Sequence, residues 1–340
     1  MRIALDAMGG DFAPRETVRG ALQAALLRPD QTILLVGDAQ AIQQEVQASG
    51  QALPPNVETV HASQAVAMDE KPVEAIRKKP DSSILKCIKL VAARQADAAI
   101  SAGNTGAMVA AATIALKPLP GVRRVGIAIT TASATGHCTL LDVGANLNCK
   151  PIHLCQYGIM GSVLHQALFQ VERPRVGILS VGEEDSKGGP VIKEAAALLA
   201  QSPVNFVGNA EGRDIFRGEH EVVVCDGFVG NALIKAIEGY GEMLADILRS
   251  AIFRDVWGRL SFNLMRPVLL NLERRVDFAE YGGGLLMGVD GGVLICHGRS
   301  NARAISNAIL RAIACVRSDV NGSIVTALQS VPKAITAEQE

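Results

Sequence analysis

Short apolar, β-branched runs alternate with segments of helical spacing along almost the whole of this 340-residue chain. Continuous apolar runs indicate buried strands, and apolar residues three or four positions apart indicate helices. Strands separated by single helices predict right-handed crossovers. We therefore expect an α/β fold with a mostly parallel sheet flanked by helices. The predicted strands are residues 2–5, 32–36, 57–61, 98–100, 125–130, 138–143, 175–181, 204–207, 221–225 and 293–296.

Composition agrees with this fold class and excludes several functions. Hydrophobic residues make up 49% of the chain and aromatic residues only 4%, which suits helices packed on parallel strands better than a β-sandwich. The formal net charge is −1, so the chain has no general attraction for nucleic acid. Seven cysteines without a Cys-x-x-Cys pair argue against a disulfide framework and a zinc knuckle. We expect Cys225 and Cys296 in the core, and neither a metal nor a cofactor.

The ends of the chain and its longest uncharged stretch bear on localisation. The chain starts directly with a predicted strand and has no basic-then-apolar leader, so we expect a cytoplasmic protein. The longest stretch without charge, residues 98–116, is rich in Ala and Gly and is interrupted by Ser101, Asn104 and Thr105. Such a stretch predicts a core segment and not a membrane span.

Two regions depart from the regular alternation. Residues 61–80 are polar and charged, which predicts a loop over a cleft with a helix from residue 72 onward. Residues 240–277 predict a protruding hairpin of two long helices that meet near 256–261. We expect residues 1–329 to form one two-lobed α/β domain, and residues 330–340 to be a frayed tail.

The stretch 206–239 contains the strongest functional signal, because Phe-Val-Gly-Asn-Ala occurs in it twice, at 206–210 and at 228–232. Residues 221–225, between the two copies, read as a buried strand. Apolar residues recur at helical spacing after the second copy, which places Asn231 at the predicted N-cap of a helix. A strand, a Gly-Asn turn and the free N–H groups of a helix start together predict a seat for an anion.

Similar Gly-Asn turns occur at 101–106 (SAGNTG) and, in near-equivalent form, at 145–146. Each turn alone has an ordinary explanation, because Gly and Asn tolerate left-handed backbone and cap helices. Four such turns at strand ends favour a site, since open α/β sheets bind ligands at the carboxyl ends of their strands. We expect these turns to meet at one edge of the sheet and to hold a small oxyanion such as phosphate.

The candidate site residues are the polar and glycine residues of these turns. Lys187, between Ser186 and Gly188, is the predicted catalytic cation, although residues 183–187 also fit a solvated charge run. His297 suits proton transfer and also fits a structural role at a strand end. The third predicted catalytic residue is Asn231. The predicted substrate-binding residues are Asp6, Gly9, Gly10, Asn104, Thr105, Gly106, Asp142, Asn146, Asn209, Glu211, Asp226, Gly230 and Ser300.

Several common catalytic motifs are absent from the sequence. There is no Walker A pattern, no His-Glu-x-x-His and no Gly-x-Ser-x-Gly, and the glycines of 282–288 have the wrong spacing for a dinucleotide fingerprint. His137 and Asp142 form a His-x4-Asp pair, the spacing of membrane glycerolipid acyltransferases. These two residues lie on a predicted strand, where their side chains would not meet.

Long motifs in order resemble one family, the bacterial phosphate acyltransferases (acyl-acyl carrier protein:phosphate acyltransferases) of phospholipid synthesis. The motifs are LDAMGGD at 5–11, SAGNTGA at 101–107, LLDVGAN at 140–146, GEEDSKG at 182–188, GNAEGRDIF at 208–216 and VVVCDGFVGNALIK at 222–235. The resemblance runs to about residue 327. It departs at 283–288, where the family usually has Ala-Pro before Leu-Leu-Gly.

The resemblance implies a fold like that of isocitrate and isopropylmalate dehydrogenases and phosphotransacetylase, without nicotinamide chemistry. It implies a homodimer that touches the inner face of the cell membrane peripherally. The implied reaction moves a long-chain acyl group from acyl-acyl carrier protein to inorganic phosphate, and the acyl phosphate then feeds glycerol-3-phosphate acylation.

This reaction needs a phosphate seat, donors for the thioester oxyanion and an apolar channel, but no Ser or Cys nucleophile. The hypothesis places phosphate on the turns at 104–106 and 230–231, with Lys187 neutralising its charge. Asn146 and Asn209 are assigned to the carbonyl or the pantetheine amides. Lys187→Ala is expected to lower turnover by about a hundredfold.

Two questions stay open at this level. The apolar residues of the helical hairpin fit a dimer core, while its tip, with Trp257, Leu260 and Phe262, also fits contact with an anionic membrane. The nearby arginines fit an acidic carrier protein as well. The alternative functions are a phosphotransacetylase-type enzyme that uses acyl-coenzyme A and a non-catalytic membrane-surface scaffold for lipid enzymes.

Overall fold

A computed structural model describes residues 1–184, 186–252 and 283–331, together with Phe262 and Met265. The predicted helical hairpin starts within these ranges, but its tip, including Trp257 and Leu260, lies outside the described residues. The tail from residue 332 onward also lies outside them.

The described residues contain one sheet of eleven strands. The strands are β1 Arg2–Asp6, β2 Thr32–Gly37, β3 Val57–His61, β4 Ala98–Ser101, β5 Gly126–Ser133, β6 Gly136–Leu141, β7 Arg175–Leu179, β8 Asn205–Ala210, β9 Val222–Val224, β10 Gly284–Met287 and β11 Gly292–Ile295. All ten predicted strands are present. The sequence reading missed β10, because its flanking glycines look like a loop.

Helices connect most of these strands and pack against both faces of the sheet. They are α1 Arg15–Leu27, α2 Ala39–Ala48, α3 Pro72–Lys78, α4 Ser83–Ala92, α5 Thr105–Ala115, α6 Pro151–Phe169, α7 Pro190–Ala200, α8 Asp214–Arg217, α9 Gly227–Ile252, α10 Ala302–Arg317 and α11 Val320–Gln329. The predicted α/β class with a mostly parallel sheet is confirmed, since seven of the ten neighbouring strand pairs are parallel.

The strand order is β3-β2-β1-β4-β11-β10-β5-β6-β9-β7-β8. The first five strands of this order are parallel to one another, and so are the last four. Three antiparallel pairings, β11–β10, β10–β5 and β5–β6, join the two sets. Three reversals leave the second set antiparallel to the first. The sheet therefore consists of a first half and a second half whose strands point in opposite directions.

Two apolar layers cover the two faces of this sheet. On one face the alternating residues of the strands pack against α1, α6 and α10, and Tyr157 of α6 is fully buried there. On the other face they pack against α4 and α5, with Ile234 of α9 joining the layer. The central strands read as continuous apolar runs in the sequence because both of their faces are buried.

The repeated pentapeptide adopts two different structures. The first copy, 206–210, lies in β8, where a register shift against β7 falls beside it. The second copy, 228–232, lies in the first turns of α9. The prediction that Gly208–Asn209 and Gly230–Asn231 form strand-end turns is therefore wrong. Pairing with β7 fixes the first copy, whereas the second follows the cap of a helix.

Candidate functional site

The reversal of strand direction separates the predicted site residues into two groups. The turns after β1, β4 and β11 lie at the carboxyl ends of the first half, and the turns after β6, β7 and β9 lie at those of the second half. The prediction that all turns meet at one sheet edge is wrong, because it assumed that all strands run the same way.

The turn after β1 is a tightly packed part of the first half. Asp6 is 1% exposed and accepts hydrogen bonds from Ser101 Oγ (2.7 Å) and the Met8 N–H (3.1 Å). Burial raises the pKa of this carboxyl group, and the hydrogen bonds oppose that effect. A Cβ atom on Gly9 would lie 2.5 Å from Asp6 Oδ2, so this position accepts only glycine. Gly10 (φ +108°) follows, and Asp11 donates its N–H to Gly298 O, which joins the turns after β1 and β11.

Asn104 begins α5 and fixes a neighbouring loop. Its Oδ1 accepts the Ala107 N–H (2.9 Å), so it is the N-cap of the helix. Its Nδ2 donates to the carbonyl oxygens of Met68 (3.1 Å) and Glu70 (2.9 Å). The amide of Asn104 is thus used for structure. The N–H groups of Thr105 and Gly106 behind it donate to no other described residue, which leaves two donors at this helix start.

Asp142 organises the turn after β6. Its Oδ1 accepts the N–H groups of Ile127, Gly144 and Ala145, and its Oδ2 accepts that of Asn146, at 2.7–3.0 Å. The Asn146 amide donates to Val125 O (2.5 Å) and Tyr157 Oη (2.8 Å). Both predicted binding residues are therefore committed to internal hydrogen bonds.

The start of α9 differs from the prediction. Asp226, and not Asn231, caps the helix, because its Oδ1 accepts the N–H groups of Phe228 and Val229 at 2.9 Å. The remaining donors are also used, since the Gly227 N–H bonds Asn146 O and the Gly230 N–H bonds Asp226 O. This helix start therefore has no free N–H group for phosphate. A Cβ on Gly230 would collide with the carbonyl oxygen of Asp142, so glycine is needed for packing there.

Asn231 lies inside α9, and helical spacing puts it on one face with Lys235 and Glu238. Lys235 Nζ lies 2.7 Å from Glu238 Oε2 and 3.3 Å from His297 Nε2. The Arg299 N–H donates to His297 Nδ1 (3.1 Å). His297 Nε2 also lies 4.0 Å from Glu238 Oε2, so it faces both the ammonium group and the carboxylate. Helix α9 therefore starts beside the turn after β6 and reaches the turn after β11.

A cavity of about 350 Å³ lies where these elements meet. It collects four of the predicted residues, Thr105, Asn231, His297 and Ser300, from both halves of the sheet. Lys235, Glu238 and Arg299 also line it. Its remaining wall is largely apolar and is formed by Ile127, Ile129, Thr130, Val143, Ile234, Gly283, Gly284, Ile295, Cys296, Asn301 and Ala304. The cavity lining thus contains both charged and hydrogen-bonding groups and isoleucine side chains.

The other predicted residues do not line this cavity. Lys187 is exposed in the turn after β7, and Asn209 Nδ2 donates to Glu184 O (2.8 Å) in the same region. Glu211 faces Arg213, with Oε2 and Nε 3.4 Å apart. Asp6, Gly9, Gly10, Asn104 and Gly106 belong to the turns after β1 and β4, and Asp142, Asn146, Asp226 and Gly230 belong to the turn after β6 and the start of α9. The catalytic role of Lys187 stays a prediction.

The sequence reading missed Lys235, Glu238 and Arg299. The signal that could have found the first two is the spacing of Asn231, Lys235 and Glu238 along one helix face. The sequence pattern predicts Asn231 at the start of the helix, whereas the structure places it one turn further in.

A second, larger groove does not match the predicted chemistry. It has a volume of about 740 Å³ and lies between α6 and α11, lined by small polar residues and alanines. None of the predicted site residues lines it, so volume alone would select the wrong place. We take the smaller cavity as the candidate site because charged and hydrogen-bonding groups converge on it.

Cys296 is the cysteine of the cavity wall, and it is 4% exposed. Burial raises the pKa of its thiol to about 12, so it is protonated at neutral pH and is a poor nucleophile. Cys225 is buried as well, as predicted for both residues. Within the described ranges no group of His, Cys, Asp and Glu side chains is arranged to hold a metal ion.

No helix among the residues that the structure describes is long and apolar enough to cross a membrane.

Comparison with known sequences places this geometry in context. A family profile described as "Fatty acid synthesis protein" matches residues 1–323. The phosphate acyltransferase of Dictyoglomus turgidum is 41% identical over 333 residues, covering 97% of this chain and 98% of the relative. That of Thermodesulfovibrio yellowstonii is 44% identical over 326 residues, covering 94% and 92%.

Solved structures show the same fold at low sequence identity. A phosphotransacetylase from Streptococcus pyogenes superimposes with a TM-score of 0.62 at 15% identity, covering 93% of this chain and 94% of the other. A 4-hydroxythreonine-4-phosphate dehydrogenase from Klebsiella pneumoniae gives 0.54 at 12% identity, covering 93% and 99%. The expected likeness to phosphotransacetylase and dehydrogenase folds is thereby confirmed, and it concerns the fold alone.

Proposed function

Because this chain belongs to the phosphate acyltransferase family, we propose that it moves a long-chain fatty acyl group from acyl-acyl carrier protein to inorganic phosphate. The product is an acyl phosphate for the synthesis of phosphatidic acid and other phospholipids. In this step an oxygen of phosphate attacks the thioester carbonyl, the C–S bond breaks, and the carrier protein leaves as a thiol after taking up a proton.

One observation carries the proposal: the same cavity is lined by cationic and hydrogen-bonding groups and by apolar side chains. Transfer of a fatty acyl group to phosphate needs both, because the nucleophile is a dianion and the acyl chain is hydrocarbon. The isoleucines Ile127, Ile129 and Ile295 provide the apolar side, next to Thr105, Lys235 and His297. A site for a small polar acyl group would not need this apolar wall.

The free N–H groups at the start of α5 support a phosphate seat in the cavity. The N–H groups of Thr105 and Gly106 are unused, and the positive end of the helix dipole favours an anion there. Lys235, with its side chain 54% exposed, adds a cation to the cavity lining. This assignment keeps the predicted seat at 104–106 and moves the second contribution from the start of α9 to its third turn.

Direct attack by phosphate fits the side chains present. The thiol of Cys296 is protonated, as its raised pKa implies, and Ser300 has no hydrogen bond to a base among the described residues. Bound phosphate needs only to be positioned, and the developing oxyanion to be stabilised. We assign that stabilisation to Lys235 and to the amide of Asn231. We assign protonation of the departing thiolate to His297, which lines the cavity.

The experiment compares Lys235→Ala and Lys187→Ala with the wild type and with Lys193→Ala, a surface control on α7. Phosphate-dependent release of carrier-protein thiol is measured. We expect Lys235→Ala to lower kcat by about a hundredfold, the usual loss for an oxyanion-stabilising group, and the control to be unchanged. Normal turnover in Lys235→Ala with a loss in Lys187→Ala would place the phosphate in the second half of the sheet.

The acyl donor is tested in the same assay. The wild type is given the same fatty acyl group on carrier protein and on coenzyme A. We expect a higher kcat/KM with the carrier protein. A preference for the coenzyme A thioester would indicate a phosphotransacetylase-type enzyme, and no phosphate-dependent thiol release from either donor would indicate a non-catalytic scaffold.

We also propose a cytoplasmic homodimer with peripheral membrane contact. An apolar stripe on α9 is exposed in the single chain and includes Tyr240 (63%), Met243 (49%) and Ile247 (52%). Exposed apolar stripes of this kind favour a partner surface. The membrane contact is assigned to the hairpin tip with Trp257, Leu260 and Phe262. Unchanged pelleting of a Trp257→Glu, Leu260→Glu variant with anionic vesicles would exclude the tip.

A further inference from the structure

Helices α3 and α4 carry an excess of exposed positive charge on a chain whose net charge is −1. Lys71 and Lys78 share one carboxylate, that of Glu74, at 3.5 and 3.3 Å. Arg77 and Lys89 are exposed and form no ion pair with another described residue. We call Lys71, Arg77, Lys78 and Lys89 the basic surface.

The neighbouring charges reduce this excess without cancelling it. Lys79 is paired with Glu70 and Lys86 with Asp81, so these carboxylates are already matched. Against the four cations of the basic surface stand Glu74 and the exposed Asp69. Ion pairs this exposed are weak, which leaves the cations able to exchange partners.

The basic surface adjoins the cavity. Pro72, the first residue of α3, packs on the start of α5, where a Cβ on Gly106 would lie 2.5 Å from Pro72 Cγ. Thr105, the residue before Gly106, lines the cavity. Pro72, which follows Lys71 of the basic surface, therefore contacts Gly106, the residue next to Thr105 of the cavity wall.

Hydrogen bonds and an ion pair fix the position of the basic surface relative to the cavity. The amide of Asn104 bonds the backbone carbonyls of the loop before α3, and the Lys79–Glu70 pair closes the same loop. The loop predicted at 61–80 is thus tied to α5 on one side and continues into α3 on the other. Two exposed apolar side chains, Met68 (49%) and Val73 (48%), lie in this segment beside the cations.

We propose that the basic surface docks an acidic protein that presents the acyl thioester to the cavity. The inference rests on the proposed function and adds the place where the carrier protein binds. Positive groups around a small apolar centre complement an acidic helix, and such charges chiefly accelerate encounter and fix orientation. Pro72 of α3 packs against Gly106, which follows Thr105 of the cavity wall, so a thioester on a flexible arm that starts from this surface is near the cavity.

The test uses the double variant Arg77→Glu, Lys78→Glu, whose residues are exposed and lie outside the cavity. Its matched control, Arg173→Glu, Lys193→Glu, reverses two exposed charges in the second half of the sheet. Phosphate-dependent thiol release is measured at low and high salt with the same acyl group on carrier protein and on pantetheine. Acyl-pantetheine lacks the protein surface of the carrier, so its turnover does not depend on docking.

We expect the double variant to raise KM for acyl-carrier protein by at least about tenfold at low salt, with a smaller effect at high salt. Turnover of acyl-pantetheine by the double variant is expected to stay unchanged. Turnover of both donors by the control is also expected to stay unchanged. An equal loss with both donors, or an unchanged KM for the carrier protein, would overturn the proposal.

A direct binding titration separates this proposal from the proposed function. If the wild type turns over neither donor, the proposed function fails, and the docking surface is supported only if the double variant still loses affinity for the carrier protein. If the double variant keeps that affinity and instead loses binding to anionic vesicles, the basic surface is a membrane contact and the proposal is wrong.

Discussion

Asp142 shows how one buried side chain can build a turn. Its two oxygens accept four backbone N–H groups, three of which belong to the turn that follows. Asp142 is 0% exposed, and a buried carboxylate of this kind needs such hydrogen-bond donors. The sequence indicated an important residue here, but whether it binds substrate or backbone depends on contacts that the motif does not contain.

His165 makes the stability of the fold depend on pH. It is 1% exposed and lies 3.0 Å from Thr139 Oγ1, and burial lowers its pKa to about 4. The unfolded chain takes up this proton near pH 6.5. Below that pH the unfolded state therefore binds a proton on this histidine that the folded state does not bind. The free energy of unfolding decreases as the pH falls from about 6.5 toward 4.

We therefore expect His165→Asn to reduce the loss of unfolding free energy between pH 7 and pH 5 by on the order of 2 kcal/mol. Urea unfolding at several pH values measures it. The same slope in His165→Asn and the wild type would contradict the assignment.

Cys296 provides a test of direct attack by phosphate. Its thiol is protonated at neutral pH, so Cys296→Ala is expected to retain kcat within about threefold, the change coming from packing alone. In the wild type, rapid mixing without phosphate is expected to give no burst of carrier-protein thiol. A burst, together with loss of activity in a folded Cys296→Ala variant, would indicate an acyl-enzyme intermediate.

At the scale of elements, the two copies of Phe-Val-Gly-Asn-Ala show that a short sequence does not determine its own secondary structure. The apolar runs were sufficient to predict ten strands, because a strand that is buried on both faces is apolar along its whole length. The pentapeptide was not sufficient, since its copies lie in β8 and in α9. What decides between them is a neighbouring strand in one case and the Asp226 cap in the other, and neither lies within the five residues.

The cap assignment gives a prediction on stability. Asp226→Ala is expected to lower the free energy of unfolding by about 1 kcal/mol, since Phe228 and Val229 lose their acceptor. Asn231→Ala is expected to change it by less than about 0.5 kcal/mol but to lower turnover, because Asn231 lines the cavity. Urea unfolding and the thiol-release assay on both variants measure this pair of effects. The opposite ranking in stability would restore Asn231 as the cap.

At the scale of the whole molecule, the sequence predicted the class of fold but not the direction of its halves. Strand direction is set by β10 and β5, and β10 is a short strand beginning with glycine that gives little signal in the sequence. If β10 is left out, the strands of the two halves are expected to run in the same direction. The turns after them are then expected at one edge of the sheet. The predicted site residues therefore do not meet as one group, and four of them, Thr105, Asn231, His297 and Ser300, line the cavity.

The proposed dimer belongs to this scale. Met243→Glu, Ile247→Glu places two charges in the exposed stripe of α9, and we expect it to yield monomers, because a paired apolar face cannot bury unpaired carboxylates. Sedimentation velocity over a range of concentrations measures the change. A matched variant, Leu26→Glu, Leu27→Glu, alters two exposed leucines on α1 and is expected to leave the assembly intact. An unchanged sedimentation coefficient in the α9 variant would exclude the stripe as the interface.

Helix α9 connects the two halves with a fixed number of residues, and this has a consequence for how such a chain can change. Inserting one residue between Asp226 and Lys235 turns the lysine by about 100° around the helix axis, away from His297. Inserting four nearly restores the angle but carries the lysine about 6 Å along the axis, past the cavity. The helix thus works as a spacer of set length between the Asp226 cap and the cavity.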